Sequence, residues 1–380
     1  MILCELKVKS VCYFKYLVKV CFFGSYPQDP AIALFRQKLE FQNIEVKECH
    51  IDINISLEHR SISRVISSYW KLLVKHRKVG EYDIAVLPLW WGAIQLPLLK
   101  IISRKPILYF GQGSPYDELV NDRKKIKPTS FTARFFLFFE KMVCRLSDLI
   151  TKESQAEIAY YTHQMNISKK KFRVLNIGAD KTKFPACPFK EFDEKFIVLY
   201  WGTFIPLHGV EVIVQAAKIL STHKDILFRF CGEGQTKSEM ENFVKKHNLT
   251  NTEFLGFVEQ SSLLENIKNS DVCLGIFGKS QKAEIVVTHK VYQILCSQKP
   301  LITMDSRVIR EINLENDKNS ILVPKQDPKE LAKAILYLKN NENKRKEIAY
   351  EGRKIFEEKF SIVVTSKIAV KYLNELLSKK

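Results

Sequence analysis

One stretch, residues 196–220, constrains the fold more than any other part of the chain. It opens with the apolar run from Phe196 to Tyr200, which is typical of a buried parallel strand. A glycine turn at Gly202 and a loop ending at Gly209 follow, and then apolar residues at helical spacing, which are Val210, Val212, Ile213, Ala216, Ala217 and Leu220. Strand, glycine turn and helix together bring backbone N–H groups and the positive end of a helix to one place. The pattern therefore indicates either an anion site between Gly202 and Gly209 or an ordinary turn of a doubly wound sheet.

Short apolar runs alternate with helical patterns on both sides of this stretch, which predicts parallel sheets with helices on both faces. The predicted strands lie at residues 18–24, 44–51, 83–89, 106–110, 148–151, 172–175, 196–200, 226–231, 272–276 and 300–304. Residues 185–194 are rich in proline and polar at their end, and they predict a linker. We therefore expect an α/β protein in which two Rossmann-like doubly wound domains face each other across a cleft. The predicted parts are an N-terminal domain over residues 1–187, a C-terminal domain over residues 188–357 and a helix at 358–380 that returns toward the N-terminal domain.

Composition narrows the class of protein further. The 380 residues contain no run of 18 apolar positions, and charged residues interrupt residues 1–17, so we expect neither a membrane-spanning helix nor a signal peptide. The nine cysteines are scattered and form no Cys-x-x-Cys pair, which is typical of buried cytosolic thiols. The net charge of +18 suggests anionic lipid, nucleotide phosphates or nucleic acid as partners, or only a lysine-rich surface. Because no nucleic-acid-binding motif is present, we expect no nucleic-acid partner.

Five motifs occur in order between residues 174 and 303, and the first of them closes the predicted N-terminal domain. They are Val174-Leu-Asn-Ile-Gly178-Ala-Asp180, Tyr200-Trp-Gly202-Thr-Phe-Ile-Pro-Leu-His208-Gly209-Val210, Phe230-Cys-Gly232-Glu-Gly234, Phe254-Leu-Gly256-Phe257-Val258, and His289 to Leu295 with Lys299 to Thr303. In this order and at this spacing the chain resembles the retaining glycosyltransferases of family 4, also called glycosyl transferases group 1. The resemblance implies the GT-B fold of two Rossmann-like domains. It also implies a retaining, metal-independent transferase of the hexosyltransferase type.

The resemblance further implies the substrates and the place of the reaction. No cofactor would be permanently bound, and the donor would be a UDP- or GDP-sugar held by the second domain. The acceptor would be a saccharide or a lipid-linked molecule, as in the synthesis of cell-surface polysaccharide or glycolipid. We expect the protein either free in the cytoplasm or as a peripheral protein on the inner face of the cell membrane.

The sequence departs from the family at the residues that hold the donor diphosphate. The family usually carries Arg after the first motif glycine and Lys before the second, whereas this chain has Thr203 and His208. The helix Glu that binds ribose hydroxyls is replaced by Gln293, and its partner carboxylate, Glu284, lies one residue from the family position. These changes leave open whether full activity is retained.

The resemblance and the chemistry of a leaving diphosphate together select the candidate residues, since that charge requires cations or oriented N–H groups. The predicted catalytic residues are Lys290, His208 and Thr203, with His208 supplying positive charge as imidazolium or one hydrogen bond when neutral. Donor binding is predicted for Gly202, Gly209, Gln293, Glu284, Phe257, Val258 and Gly24, and no metal ligand is predicted. The alternative interpretation gives these residues only structural roles. Lys290 is then a solvated lysine, His208 a loop histidine and Glu284 a surface carboxylate. Thr203 and the glycines are turn residues, and Gln293 is a buried helix glutamine.

A basic, phenylalanine-rich stretch lies at residues 121–145. Such a stretch either lies in a membrane interface or packs its phenylalanine face on the sheet with solvated lysines outside. We keep both interpretations, so an anionic membrane surface is a possible further partner.

Three rival functions remain open. The first is a catalytically weak relative that binds sugar nucleotides, suggested by Thr203, His208 and Gln293. The second is a GT-B sugar-nucleotide epimerase, which needs no acceptor. The third is a nucleic-acid-binding protein driven by charge alone.

Overall fold

The computed structural model describes residues 18–52, 62–189 and 195–378, with the side chains of 62–66 excepted. The expectation for residues 1–17 and the end of the predicted linker, residues 190–194, therefore lie outside the described residues. Within the described part, no helix is long and apolar enough to span a bilayer.

The chain alternates strands and helices as the apolar pattern predicts. The elements up to the end of the first sheet are β1 Lys19–Tyr26, α1 Pro30–Glu40, β2 Glu45–Asp52, α2 Ile62–Val79, β3 Ile84–Pro88, α3 Leu89–Ala93, α4 Leu96–Ile102, β4 Ile107–Phe110, α5 Phe131–Leu146, β5 Leu149–Lys152, α6 Gln155–Met165 and β6 Phe172–Val174. A π-helical turn, Asp117–Asp122, lies between β4 and α5.

The elements of the second half are β7 Phe196–Trp201, α7 Val210–Ile219, β8 Ile226–Cys231, α8 Lys237–Lys246, β9 Thr252–Gly256, α9 Gln260–Lys268, β10 Val272–Leu274, α10 Gln281–Ile285, α11 His289–Cys296, β11 Leu301–Met304, α12 Arg307–Glu311, β12 Ile321–Val323, α13 Pro328–Asn340, α14 Glu342–Ile355 and α15 Ile362–Ser378. A 3-10 turn, Pro206–His208, lies between β7 and α7.

The strands form two six-stranded sheets. The first runs β2-β1-β3-β4-β5-β6 and the second β12-β11-β10-β7-β8-β9. Pairing is parallel, for example between β7 and β8 and between β7 and β10. In each sheet the order reverses beside an early strand, β1 or β7. That topological switch point is where sheets of this kind bind ligands.

The chain divides into two compact units. Unit 1 comprises residues 1–112, 143–151 and 365–380, and unit 2 comprises residues 113–142 and 152–364. The predicted domain boundaries at 187/188 and 357/358 stay predictions. The start of the predicted linker packs inside unit 2, because the Cys187 N–H donates to the Ser297 carbonyl oxygen at 2.9 Å.

Strand β7 lies in the interior of unit 2, and all six of its residues are buried. Val198 and Tyr200 face one apolar cluster together with the helices α7 and α13. Leu199 and Trp201 face the other, together with α11. Apolar side chains on both faces explain why the strand shows no polar alternation, as expected of a parallel strand between two helical layers.

Candidate functional site

The backbone turn after β7 lies directly against two of the predicted site residues. Gly202 has a φ of +132°, and a Cβ there would lie 3.1 Å from Lys290 Nζ and 3.3 Å from His208 Cε1. A glycine at this position therefore allows the strand end, α11 and the 3-10 turn Pro206–His208 to meet closely. The structure brings Gly202, His208 and Lys290 together.

Lys290 is nearly enclosed, with an exposed fraction of only 4%. Its Nζ lies 3.9 Å from the centre of the Tyr200 ring and 3.5 Å from His208 Nδ1. The ring face attracts the ammonium, but burial lowers the pKa of Lys290 well below its ordinary value. The amine is therefore a buried group whose charged form a nearby anion would stabilise.

The contacts of His208 Nδ1 favour one tautomer. Its Nδ1 lies 2.6 Å from the Thr203 carbonyl oxygen, which also accepts a hydrogen bond from the Tyr200 hydroxyl. Since a carbonyl oxygen only accepts, we assign the ring proton to Nδ1. Burial first, and Lys290 second, lower the pKa of His208 well below its ordinary value. The unliganded ring is therefore neutral, which favours the predicted hydrogen-bonding role over the imidazolium.

Gly209 fixes the start of α7. It has a φ of +62°, and a Cβ there would lie 2.3 Å from the Phe277 carbonyl carbon. The glycine is thus required both by its left-handed conformation and by the close approach of the chain after β10. Its predicted contact with a phosphate stays a prediction, and its structural role is evident.

A cavity of 520 Å³ opens beside this turn. Its walls are residues 201–203 at the end of β7, residues 231–234 at the end of β8, and Phe257, Val258 and Leu263. Four of the predicted residues, Gly202, Thr203, Phe257 and Val258, thus share one cavity. The volume lies within the usual range for small-molecule sites. Thr203 and Phe257 are exposed, so both are accessible to a ligand.

Gln293 is tied to the same wall through Trp201. The Trp201 indole N–H donates to the Gln293 side-chain oxygen at 3.0 Å. This bond fixes the orientation of the amide and leaves its NH₂ group as a donor for another partner.

Two predicted residues lie elsewhere. The Glu284 carboxylate pairs with Lys325 Nζ at 2.9 Å and does not line the cavity. Gly24 belongs to unit 1, where a Cβ would lie 2.7 Å from the Gly92 Cα. Both have structural partners that account for them.

The sequence did not reveal the residue that anchors α11 from its inner side. Tyr292 donates its hydroxyl proton to Glu153 Oε2 at 2.8 Å, and Glu153 Oε1 accepts from the Ile177 N–H at 3.0 Å. Glu153 and Tyr292 are 139 positions apart, so no local pattern could indicate the pair. Because Tyr292 lies between Lys290 and Gln293 on one helix, this bond helps to fix both. Among the described residues, no group of three His, Cys, Asp or Glu side chains could hold a metal ion.

Comparison with known proteins agrees with this geometry. The family model described as "Glycosyl transferases group 1" matches residues 187–355. An uncharacterized glycosyltransferase of Methanocaldococcus jannaschii is 32% identical over 166 residues, which cover 43% of this chain and 43% of that relative. The matched part is thus less than half of the relative's length.

Solved structures match along nearly the whole chain. Sucrose-phosphate synthase from Thermosynechococcus elongatus superimposes with a TM-score of 0.74 at 16% identity, covering 96% of this chain and 100% of that one. Anabaena HepE, solved with UDP and glucose, gives 0.70 at 15% identity, covering 94% and 100%. At such identities the likeness shows the fold alone, and it confirms the predicted GT-B class.

Proposed function

Because residues 187–355 match the family model of the glycosyl transferases group 1, we propose that this chain transfers a sugar from a nucleotide-diphosphate sugar to an acceptor. The observation that carries the proposal is the convergence of Gly202, His208 and Lys290 beside a 520 Å³ cavity. A site of this kind can meet the charge that develops on a leaving diphosphate. The UDP bound to Anabaena HepE supports a uridine nucleotide as the first donor to test.

The parts of the cavity suggest how the donor lies. The diphosphate faces the turn at Gly202, with Lys290 as its cation and the backbone N–H groups of the first turn of α7 as further donors. The base lies toward Phe257 and Val258, where exposed apolar surface is available. The NH₂ group of Gln293, oriented by Trp201, donates to a ribose hydroxyl, which is a weaker contact than a carboxylate would make.

The proposed reaction proceeds with retention and without a metal ion. The bond between the anomeric carbon and the diphosphate oxygen breaks, and the acceptor oxygen bonds to the same face of that carbon. The departing phosphate oxygen takes the acceptor proton, so no protein base is required. Lys290 stabilises the extra negative charge on the nucleoside diphosphate, which is the role of a catalytic cation.

The acceptor is proposed to be a saccharide or a lipid-linked molecule at a membrane surface. Helix α5 supports this location, because Phe131, Phe135 and Phe138 are 84%, 51% and 66% exposed and recur on one helical face. Arg134 and Arg145 are exposed on the same helix, and Lys124, Lys125 and Lys127 are exposed before it. Exposed aromatics beside cations are what an anionic membrane interface binds.

A panel of donors tests the activity. The purified chain is incubated with UDP- and GDP-sugars, and release of nucleoside diphosphate is measured with and without saccharide and lipid-linked acceptors. Product configuration is read by NMR, and the assay is repeated with a chelator. We expect one donor class to be turned over, with the anomeric configuration of the donor retained and no effect of the chelator. Turnover of no donor would contradict the proposal, and an inverted product would contradict the stereochemistry.

A catalytically weak sugar-nucleotide-binding protein is the second candidate. The neutral state of His208 and the absence of charge at Thr203 favour it, since both positions usually carry cations in the family. Saturable UDP binding without turnover of any donor would support this candidate over the transferase.

A further inference from the structure

The proposed donor site lacks positive charge where its phosphates would lie. Thr203 carries none, and the pKa of His208 is lowered by burial and then by Lys290, so its ring is neutral. Lys290 is itself a buried amine with a lowered pKa. A nucleoside diphosphate carries at least two negative charges, so a single buried lysine is a weak counterpart.

Two further cations come close to this turn through α10. This short helix packs against the 3-10 turn Pro206–His208 on one side and against the π-helical turn Asp117–Asp122 on another. Lys282 lies on α10, and Arg123 directly follows the π-helical turn. All of these residues belong to unit 2.

Arg123 is tied to the wall of the cavity. Its carbonyl oxygen accepts a hydrogen bond from Gln235 Nε2 at 3.2 Å, and Gln235 directly follows Gly234, which lines the cavity. Its guanidinium lies 2.6 Å from the Glu118 carboxylate. Its Nε is buried and makes no hydrogen bond among the described residues. Glu118 thus holds the side chain in place, and one donor remains unused.

Lys282 makes no ion pair within 4.0 Å among the described residues, although Asp122 lies near it. Both carboxylate oxygens of Asp122 are buried without a hydrogen-bond partner among those residues. Burial raises the pKa of Asp122, and Lys282 acts against that shift. Lys282 and Arg123 also both lower the pKa of His208, after burial and Lys290. The positive charges of Lys282 and Arg123 therefore act electrostatically on His208 in the proposed site.

We propose that Lys282 and Arg123 bind the donor diphosphate and replace the two cations that the family carries at positions 203 and 208. The charge thus comes from α10 and from the end of the π-helical turn instead of the turn after β7. This inference rests on the proposed function, since it names residues for the same donor.

The test compares UDP with uridine, because only the first carries the phosphates. Dissociation constants are measured by calorimetry for the full chain and for Lys282→Gln, Arg123→Gln and the double variant. We expect each single substitution to weaken UDP binding about tenfold and to leave uridine binding unchanged. Lys282→Arg should restore most of the UDP affinity. Lys329→Gln removes the same charge from an exposed position on α13 and should change neither constant.

The outcomes separate the two proposals. A preference for UDP over uridine that shrinks in Lys282→Gln and Arg123→Gln supports the inference. A preference that both variants retain in full overturns the inference and leaves the donor site intact. A wild-type chain that prefers neither UDP over uridine nor GDP over guanosine overturns the proposed function and this inference together. Unchanged uridine affinity in each variant shows that its fold is intact.

Discussion

The amine of Lys290 lies against the ring face of Tyr200 and the imidazole of His208, and no carboxylate of the described residues lies within ion-pair distance of it. A buried cation without a counter-ion destabilises a fold, so stability does not explain this residue. Lys299 is different, because its equally buried amine donates to the carbonyl oxygens of Lys268 and Ser270 at 2.9 and 3.0 Å. The two lysines are therefore a matched pair for separating function from structure.

The substitution Lys290→Met should abolish most activity without loss of stability. Removing the cation should lower donor turnover about 100-fold or more. Removing a costly buried amine should leave the thermal midpoint unchanged or raised. Lys299→Met, the control, should lower the midpoint, because it leaves buried carbonyl oxygens without a donor. If Lys290→Met unfolds as readily as Lys299→Met, Lys290 is structural and its catalytic role is wrong.

Binding of UDP should be coupled to proton uptake. Burial lowers the pKa of both Lys290 and His208 in the free protein, and an arriving diphosphate stabilises their charged forms. Each pKa is then higher in the complex than in the free protein. Groups shifted in this direction favour binding at low pH, and their contribution is lost as the pH rises through the pKa of the complex.

Calorimetry in buffers of different ionisation enthalpy measures this uptake. We expect the apparent binding enthalpy of UDP to vary with the buffer, and the variation to shrink in Lys290→Met. Uridine, which brings no phosphate, should bind with an enthalpy independent of the buffer. Proton release by the wild type, or uptake that Lys290→Met leaves unchanged, would contradict the charge states assigned here.

At the residue level the sequence predicted residue types better than contacts. It predicted that His208 and Lys290 belong to one site, because the motif order places each beside its glycine or helix start. It could not predict that Glu284 pairs with Lys325, 41 positions away, or that Trp201 orients Gln293, 92 positions away. The protonation state of His208 depends on its burial, and a motif in a predicted loop does not show whether a side chain is buried.

Glycines at the turns of unit 2 differ in what a side chain would meet. Gly209 and Gly113 both have positive φ, at +62° and +77°. A Cβ at Gly209 would lie 2.3 Å from backbone, whereas nothing lies within 4 Å of one at Gly113. Alanine at Gly113 therefore tests the cost of the left-handed backbone conformation alone, whereas alanine at Gly209 adds the cost of a steric clash.

We expect Gly113→Ala to cost about 1 kcal/mol, which is the usual cost of an alanine in this conformation. Gly209→Ala should cost about 3 kcal/mol or more, because α7 or the chain at Phe277 must move. Thermal unfolding of the two variants measures the difference. Equal losses of stability would mean that the backbone between α7 and β10 adapts readily, and α7 would not be fixed as described.

The exposed phenylalanines of helix α5 allow the proposed membrane binding to be tested. Replacing Phe131, Phe135 and Phe138 together by serine should weaken binding to vesicles containing phosphatidylserine about tenfold or more, since each ring loses apolar burial in the interface. Co-sedimentation with vesicles measures the change, and vesicles of neutral lipid should bind weakly from the start. Tyr350→Ser removes a 62% exposed ring from α14 and should have no effect. Vesicle binding that survives the triple substitution would assign the phenylalanine face to another partner.

Element boundaries show where sequence patterns lose information. Long apolar runs predicted β7 and β8 within one residue of their ends. The three-residue strand β12 and the short helices α3 and α4 were not predicted, because three to seven residues hold too little periodicity. Residues 83–89 were predicted as one strand, but β3 ends at Pro88 and Leu89 begins α3 with a φ of +54°.

At the scale of the whole molecule, the fold class followed from alternation alone, since βα repeats allow few arrangements other than parallel sheets covered by helices. The strand order within each sheet did not follow from the pattern. It depends on which strands pair, and pairings such as β7 with β10 join residues more than 70 positions apart. The family model covers residues 187–355, which hold four of the five motifs, whereas the motif at Val174 to Asp180 lies before the match.

The net charge of +18 is compatible with binding of nucleotide phosphates and of nucleic acid alike. Binding to a specific nucleotide site and binding by general electrostatic attraction differ in their dependence on salt concentration. UDP at 100 times its dissociation constant should stabilise the protein by about 2.7 kcal/mol, and a raised thermal midpoint should persist at moderate salt. RNA of mixed sequence, attracted by charge alone, should bind only at low salt and should not compete with UDP. Thermal shift and competition assays across a salt series measure both. RNA that binds at moderate salt and displaces UDP would assign the charge of this protein to nucleic acid and would remove the support for a dedicated sugar-nucleotide site.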